Sequence, residues 1–397
     1  LQAKILRYLQ DGRIERVEAA QSLLPQLGAD VAIDDQRGKI LVPGFIDTHV
    51  HYPQVDVIAS YGAQLLDWLN RYTFPAEIAF ADRAHADVAA EFFLDRLLEN
   101  GTTTASVFCT VHPQSVDAFF TASEARGLRM IAGKCLMDQH APDGLRDTID
   151  TGYRDSKTLI ERWHGHERSL YAITPRFAPT SSVGQMETMR ALAREHPDAY
   201  IQSHVAENRA EIAWVNELFP GRRSYLDVYD HFGLLRDKSI YAHCIYLDDA
   251  DRARMTAAGA TPSFCPTSNL FIGSGLYDLK QALEAGNCVS IGTDIGGGTS
   301  YSMLRTLGEA YKVQQLQGIS LSPAYALYLA TLGGAKALSI DDKLGSITVG
   351  KEADFALLDP AATPLLARRT SLRDDPLDTF FALMTLGDDR AIAATYV

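Results

Sequence analysis

The sequence predicts an α/β fold: a (β/α)8 barrel of the TIM type with a small discontinuous β-sandwich domain from both termini. Eight short apolar runs alternate with helical stretches over about 300 residues, the pattern of a closed parallel barrel. No Gly-x-Gly-x-x-Gly turn follows the first run, which disfavours the alternative, a doubly wound open sheet. The expected barrel strands are Phe45–Val50, Thr102–Phe108, Leu128–Lys134, Leu170–Thr174, Ala199–Val205, Ser239–Cys244, Thr261–Cys265 and Cys288–Gly292.

The two ends of the chain have the pattern of edge strands. Turn signals such as Asp11-Gly12 divide the N-terminal segment into short alternations, and strand-like pieces return after residue 345. Two such pieces at opposite ends of a chain can pair, so we expect one discontinuous domain whose terminal strands extend beyond this sequence. The expected division is a β-sandwich from residues 1–42 and 346–397 around a barrel catalytic domain of residues 43–345.

Composition and charge narrow the possible functions. With 46% hydrophobic and 22% charged residues among 397, the chain is an ordinary globular protein. Its net charge of −13 argues against nucleic acid or an anionic membrane as the main partner. No run approaches a membrane span, and the start lacks a signal-peptide pattern. Five scattered cysteines do not form a disulfide framework, so we expect buried free thiols and a reducing cytoplasm.

Two histidines end the first expected strand. The stretch Pro43-Gly44-Phe45-Ile46-Asp47-Thr48-His49-Val50-His51 reads as an apolar strand with a His-x-His terminus. Residues two apart in a strand point to the same side, so both imidazoles face one spot. This arrangement makes half of a zinc site, although an isolated pair would favour exposed surface. The other strand ends decide between these two interpretations.

Three further expected strands also end in metal-binding side chains. The fifth ends at His204, with Glu207 three residues on; the sixth ends near His243, and Asp294 follows the eighth. Chemistry in such barrels lies at the C-terminal ends of the strands, so these side chains are expected to meet. Three histidines and one aspartate suit zinc and leave a position open for water.

The remaining histidines are expected to lie outside this cluster. His164 and His166 repeat the His-x-His spacing, but a polar stretch surrounds them and predicts exposed surface. His112 follows the second strand at the same rim, which makes it a candidate for the pocket wall. Surface positions are also expected for His85, His140, His196 and His231.

Other hydrolase signatures are missing from the sequence. There is no His-Glu-x-x-His helix and no Pro-Cys-x-x-Cys, which excludes the corresponding metalloprotease and nucleobase-deaminase motifs. No Gly-x-Ser-x-Gly nucleophile elbow occurs. Gly296-Gly297-Gly298 lacks the Lys-Ser/Thr of a phosphate loop, and a tight turn at the barrel rim is the better interpretation.

These residues resemble the metal-dependent amidohydrolase superfamily over nearly the whole chain. The resemblance rests on the Pro43–His51 stretch, the two later histidines and Thr293-Asp294. Four local stretches are similar to the guanine deaminases within that superfamily. They are His51-Tyr52-Pro53-Gln54, Leu65–Leu69 with Tyr72–Glu77, Pro175–Thr180, and Pro266–Asn269.

The resemblance implies a homodimer with one Zn²⁺ per subunit that hydrolyses guanine to xanthine and ammonia. Dinuclear members use a carbamylated lysine at the fourth strand, which here ends in Arg176, so a single metal is implied. Lys134, at the end of the third strand, is given no metal role. His243 would stand beside the metal and hold or polarise its water. The implied zinc ligands are His49, His51, His204 and Asp294.

The resemblance also implies roles around the substrate. Glu207 would carry protons to the ring and to the leaving amine, and Asp294 would accept the proton of the attacking water. A planar base needs a fork donor, an amide and an aromatic face, which Arg176, Gln54 and Phe177 supply. The implied substrate-binding residues are Gln54, Arg176, Phe177, His204, Glu207 and Asp294.

Alternatives remain at this point. Arg176 could instead pair with a carboxylate across the barrel mouth, and Phe177 could belong to the core. The substrate could be another purine, a pterin or a triazine, acted on by a related aminohydrolase or chlorohydrolase. An inactive scaffold that works through assembly is disfavoured, because all five metal-proximal positions are present.

Overall fold

A computed structural model describes residues 4–8, 12–62, 64–372 and 374–397. Its centre is a nearly closed barrel of eight parallel strands, and helices cover the outside. The strands are β1 (Lys4–Tyr8), β2 (Ile14–Ala19), β3 (Ile40–Pro43), β4 (Phe45–His51), β5 (Thr102–Phe108), β6 (Arg129–Gly133), β7 (Cys135–Leu136), β8 (Leu170–Pro175), β9 (Tyr200–Val205), β10 (Ser239–His243), β11 (Thr261–Phe264), β12 (Ser290–Ile291), β13 (Phe355–Leu358) and β14 (Ile392–Tyr396).

The barrel strands follow one another in the order β4-β5-β6-β8-β9-β10-β11-β12, with the short β7 pairing with β8 outside this path. All eight expected barrel strands are confirmed, and their ends differ from the expected ones by at most two residues. Each is buried almost throughout, which explains their continuous apolar runs.

The seam between β12 and β4 is bridged just beyond the end of β12. The amide of Asp294 donates to the carbonyl of His49 at 2.9 Å, and the amide of His51 donates to the carbonyl of Ile295 at 3.2 Å. Inside the barrel, the Thr48 hydroxyl lies 2.8 Å from that of Ser290. These contacts bring the first and last strands together at the end where the histidines lie.

Helices join consecutive strands as parallel connections require. The long helix between β4 and β5 starts at the cap Asp82, whose side chain accepts from the amide of Ala84. The helices are α1 (Ala20–Leu23), α2 (Leu65–Trp68), α3 (Phe74–Ile78), α4 (Arg83–Glu99), α5 (Pro113–Ala125), α6 (Ile149–Trp163), α7 (Val183–Glu195), α8 (Arg209–Leu218), α9 (Tyr225–His231), α10 (Asp249–Ala258), α11 (Pro266–Phe271), α12 (Leu279–Glu284), α13 (Met303–Leu316), α14 (Pro323–Tyr328), α15 (Gly334–Ala337), α16 (Pro364–Thr370) and α17 (Pro376–Leu386).

The two ends of the chain meet, as the sequence predicts. The strands β14, β13 and β3 form an antiparallel sheet in that order, while β1 and β2 form a separate antiparallel pair. Ile14 of β2 exchanges backbone hydrogen bonds with Gly350 and Lys351, both at 2.8 Å. The segment after residue 345 also contains α16 and α17, which the strand-like pattern did not indicate. The domain limits at residues 42/43 and 345/346 stay a prediction.

Partly buried ion pairs join this terminal sheet to the N-terminal end of the barrel strands. Arg129 opens β6 and pairs with Glu352 at 2.5 Å, and Arg168 pairs with both Glu352 and Asp354 at 2.7 Å. Burial opposes ionisation of Glu352, but the two arginines outweigh it and hold the pKa of that carboxyl below its ordinary value. The terminal sheet therefore sits at the opposite end of the barrel from the histidines.

Four of the five cysteines, Cys109, Cys135, Cys244 and Cys265, are buried free thiols, and Cys288 is exposed. Burial raises the pKa of Cys135 to about 12, so this thiol stays protonated. Among the described residues, no helix has the length and apolar character needed to cross a membrane.

Gly308 allows α13 to lie directly against α17, and this contact gives a testable prediction. A Cβ at Gly308 would lie 2.5 Å from the backbone oxygen of Met384. Gly308→Ala should therefore force the helices apart and cost about 1–3 kcal/mol of unfolding free energy. The matched control is Gly221→Ala, where a Cβ meets nothing within 4 Å. Equal urea midpoints for the two variants would contradict this account of the packing.

Candidate metal centre and substrate pocket

The C-terminal ends of four barrel strands bring together the metal-binding side chains that the sequence singled out. His49 and His51 lie on β4, His204 on β9 and His243 at the end of β10, and Asp294 follows β12. All five are nearly buried or fully buried inside the barrel mouth. The structure therefore places these predicted residues in one cluster.

The ring nitrogens and one carboxylate oxygen converge on a common point. His51 Nε2 lies 3.2 Å from His49 Nε2 and 3.1 Å from His204 Nε2. Asp294 Oδ1 lies 3.3 Å from the Nε2 atoms of both His49 and His51. His243 is set further out, with its Nε2 3.8 Å from Asp294 Oδ2.

This donor set fits a single divalent metal ion. Two ligand atoms bound tetrahedrally to one zinc ion, each at about 2.0–2.1 Å, are separated by roughly 3.3 Å. The distances among His49, His51, His204 and Asp294 agree with that separation. Imidazole nitrogens with one carboxylate oxygen are ligands that zinc and other first-row metals accept.

The protonation states of the cluster suit metal binding. Burial lowers the pKa of His51 to about 3, and it lowers the pKa values of His49 and His204 as well. These imidazoles are neutral at pH 7, so each has a lone pair for a metal. Burial opposes ionisation of Asp294, but the adjacent histidines outweigh it and hold the pKa of that carboxyl well below its usual range.

Neighbouring polar groups orient the rings. His204 Nδ1 donates to the carbonyl of Arg176 at 2.5 Å, which leaves its Nε2 free to face the cluster. His243 Nδ1 donates to Asn269 Oδ1 at 2.9 Å. Asp47 accepts from the amides of His49 at 3.2 Å and Thr293 at 3.0 Å. The rings of His204 and His243 are thus held by groups outside the cluster, and Asp47 holds the backbone at His49.

Unusual backbone conformations occur at the same strand ends. His243 and Asp294 have φ values of 71° and 52°, and Ala206 has 51°. Non-glycine residues rarely adopt this left-handed region, and such residues concentrate at functional sites. The sharp turns end the strands directly at the cluster and let the next residues line its rim.

Glu207 stands beside the cluster as a second type of group. Its Oε1 accepts from the Ser274 hydroxyl at 2.7 Å, and its Oε2 lies 3.3 Å from His243 Nε2. Burial and the charge of Asp294 raise the pKa of Glu207 to about 8. At neutral pH this carboxyl is therefore mainly protonated and can donate a proton to a bound molecule. Burial and Glu207 also raise the pKa of neighbouring Glu211 to about 7.

The predicted substrate residues line one pocket with this cluster. Gln54 lies in a 3-10 segment after β4, and Arg176 and Phe177 directly follow β8. Phe177 also packs in a small apolar cluster with Trp68, so it serves both the core and the pocket wall. The remaining lining residues are Leu65, Trp68, Leu69, Glu211, Ile272 and Gly297.

Arg176 lies in the pocket lining and also forms the ion pair that the alternative interpretation required. Its guanidinium lines the pocket, and Nη1 also donates to Glu77 Oε2 at 2.5 Å in a fully buried ion pair. Glu77 is the carboxylate across the barrel mouth that the alternative interpretation required. The sequence analysis gave it no role, although it lies within a stretch similar to the guanine deaminases.

Other polar residues of the site were also missed. Trp68 and Asn269 lie inside the similar stretches, so those motifs were a signal that could have found them. Ser274 and Glu211 belong to no motif and reach the site only through the fold. Asp47 lay in the opening stretch, two residues before His49, and its role is visible only in its contacts with the amides of His49 and Thr293.

The histidines and lysine set aside in the sequence analysis lie elsewhere. His164 contacts Asp198 at 3.2 Å, and His166 contacts Glu124 at 2.7 Å, so this pair faces two separate acids. His112 uses both ring nitrogens in the adjoining loops and is absent from the pocket lining. Lys134 pairs with Asp147 at 2.6 Å in the interior.

Comparison with known proteins identifies the family of this chain. The model of the amidohydrolase family matches residues 40–397. The chain belongs to the amidohydrolase family. It is 50% identical over 402 residues to the guanine deaminase of Escherichia coli (strain K12). That alignment covers 100% of this chain and 92% of the relative.

Two solved structures extend this amidohydrolase comparison. E. coli guanine deaminase superposes with a TM-score of 0.97 at 50% identity, covering 98% of this chain and 90% of the other. Guanine deaminase from C. acetobutylicum, solved with bound guanine in the active site, gives a TM-score of 0.89 at 29% identity. That match covers 98% of this chain and 92% of the other.

The metal assignment can be tested by a histidine comparison. His51→Ala removes the nitrogen that lies within 3.3 Å of three other donor atoms. We expect bound metal to fall from about one ion per chain to well below one, because three donors hold a metal less tightly than four. His166→Ala, from the surface His-x-His pair, is the control and should retain the metal. Elemental analysis of the purified proteins measures both; equal metal content would refute the assignment.

Proposed function

We propose that this amidohydrolase is a guanine deaminase that uses one zinc ion per chain and converts guanine and water to xanthine and ammonia. The observation that carries this proposal is the convergence of His49, His51, His204 and Asp294 in the pocket that Glu207 also lines. Burial beside Asp294 raises the pKa of Glu207 to about 8. The 50% identity to the E. coli enzyme supports the choice of guanine. So does the guanine bound in the active site of the C. acetobutylicum structure.

The pocket residues would bind the base. Arg176 offers a planar set of donors, and Gln54 offers an amide. Phe177 offers an aromatic face. All three line the pocket that the metal cluster closes at its inner end. Leu65, Leu69 and Ile272 add apolar surface that excludes water from the bound ring.

The proton transfers fall to two carboxyl groups. Zinc, bound by the cluster, would supply the acidification of a water molecule. Asp294, ionised and next to the histidines, would accept the proton of the water whose oxygen adds to the amino-bearing carbon. Glu207 would give its proton to the ring nitrogen, take up the remaining proton of the added hydroxyl and pass it to the amine, so that the carbon–nitrogen bond breaks and ammonia leaves. The proton held by Asp294 would then return to Glu207, which restores both carboxyls. His243, 3.3 Å from Glu207, would orient the water between the two carboxyls.

The proposal extends to assembly and location. We assign a homodimer, which the family resemblance implies, and Val88 and Phe92 on α4 support it as exposed apolar side chains one helical turn apart. We assign a reducing cytoplasm, supported by the four buried free thiols.

The proton role is testable by Glu207→Gln. The amide keeps the size of the side chain but cannot carry a proton, so kcat with guanine should fall by about 10²–10⁴-fold. Metal content should stay unchanged, since Glu207 is not a ligand in this scheme. Glu217→Gln, an exposed position on the neighbouring α8, is the control and should keep full activity. Retained turnover in Glu207→Gln would refute the proton role.

The substrate is testable with a panel of amino-heterocycles. Ultraviolet assays should compare guanine with other aminopurines, with an amino-substituted pterin, and with aminotriazines and chlorotriazines. Bound zinc should be quantified in the same samples. We expect kcat/KM to be highest for guanine by at least about 10²-fold, since unpaired polar groups in a mismatched complex are costly. Preferred turnover of a pterin or triazine would replace guanine deamination with the related aminohydrolase or chlorohydrolase activity.

A further inference from the structure

A buried carboxylate behind the pocket connects the two polar groups that would contact the base. Glu77 lies on α3 and is 1% exposed. Its Oε1 accepts from Gln54 Nε2 at 3.1 Å, and its Oε2 accepts from Arg176 Nη1 at 2.5 Å. Both oxygens are therefore used, one for each pocket residue.

Glu77 determines which end of the Gln54 amide is available. A side-chain amide can be turned either way, but a carboxylate only accepts hydrogen bonds, so the NH₂ group must face Glu77. Gln54 Oε1 then lies beside Gly296, where an added Cβ would come within 2.4 Å of it. In the described parts of the chain, no group donates to this oxygen. Since Gln54 lines the pocket, Oε1 remains an acceptor for a bound molecule.

Glu77 also holds the guanidinium of Arg176. Arg176 Cζ lies 5.3 Å from the centre of the Phe74 ring, so the ring and the carboxylate together restrain the side chain. Among the described residues, only Glu77 accepts from its side-chain donors. The other N–H groups of Arg176 remain available to a bound molecule, because this side chain lines the pocket.

We propose that Glu77 is a positioning residue that sets the hydrogen-bond polarity of the pocket and thereby selects a ring with a lactam edge. This inference rests on the proposed function. A lactam edge has a carbonyl oxygen, which would accept from Arg176, next to an N–H, which would donate to Gln54. An amidine edge has an amino group and a bare nitrogen in these places. It would put donor against donor and acceptor against acceptor, and such mismatches generate specificity.

The experiment compares hypoxanthine, a lactam, with adenine, its amidine counterpart, as ligands of the zinc-loaded protein. Both lack the amino group that guanine deamination removes, so calorimetric binding does not depend on that reaction. The wild-type chain should bind hypoxanthine at least about tenfold more tightly than adenine, and Glu77→Gln should reduce this ratio about tenfold or more. The amide at position 77 can accept as well as donate, so Gln54 is free to turn.

A second variant separates positioning from folding. In Gln54→Glu combined with Glu77→Gln, a carboxylate at position 54 can accept from the new amide and still present an oxygen to the pocket. This double variant should recover much of the preference for hypoxanthine. Glu352→Gln is the matched control: it changes another carboxylate that pairs with arginine, but one that lies at the opposite end of the barrel from the pocket. Its ratio should equal that of the wild type.

The outcomes separate this inference from the proposed function. A ratio unchanged in Glu77→Gln, or equal weakening of both ligands without recovery in the double variant, would overturn the polarity role. Failure of the wild-type chain to deaminate guanine would overturn the proposed function alone, because the binding ratio can still be measured. In Glu77→Gln the guanine reaction should show a larger rise in KM than fall in kcat, as expected for lost substrate recognition.

Discussion

The cluster depends on one buried carboxylate that ties the first barrel strand to the last. Asp47 on β4 accepts from the amide and the hydroxyl of Thr293, and from the amide of His49. Burial raises the pKa of Asp47 to about 6, although these hydrogen bonds favour its ionised form. Because Thr293 precedes Asp294, the same carboxylate positions a histidine on one side of the seam and an aspartate on the other. Together with the backbone hydrogen bonds across the seam, this carboxylate holds the two halves of the candidate metal centre in register.

Two carboxyl groups in one pocket have opposite protonation states, which gives them different chemical roles. Asp294 lies among ring nitrogens that hold its pKa low, whereas Glu207 is desolvated and faces the charge of Asp294, which raises its pKa to about 8. One group is thus a proton acceptor at neutral pH and the other a donor. The Ser274 hydroxyl occupies Glu207 Oε1, so Oε2 is the oxygen next to His243. Hydrolysis with an amine leaving group needs this pair of functions.

The polar wall of the pocket, formed by Gln54 and Arg176, is held by one carboxylate, that of Glu77. Glu77 accepts a hydrogen bond from Gln54 and another from Arg176, so neither side chain needs a further partner within the core. An unpaired guanidinium buried at this position would be costly, and the ion pair removes that cost while leaving other donors available. The carbonyl of Arg176 accepts from His204, so the segment after β8 belongs to the polar pocket wall and also contacts the histidine cluster. In the proposed function, substrate recognition and chemistry therefore share this backbone segment.

The sequence alone was sufficient to predict the barrel and to single out the five residues of the candidate metal cluster. Buried parallel strands require continuous apolar runs, and a polar residue at the end of such a run stands out against them. His49, His51, His204, His243 and Asp294 carry that local signal, and the family resemblance added Gln54, Arg176, Phe177 and Glu207. The partners that orient these groups lack that local signal, although Glu77 and Asn269 lie within the stretches similar to the guanine deaminases. Glu77, Asn269 and Ser274 lie on helices or loops, where a polar residue is ordinary, and their contacts cross 99, 26 and 67 positions of the chain. Only the closed barrel, which brings distant strand ends to one mouth, could decide which of the many polar loop residues face the site.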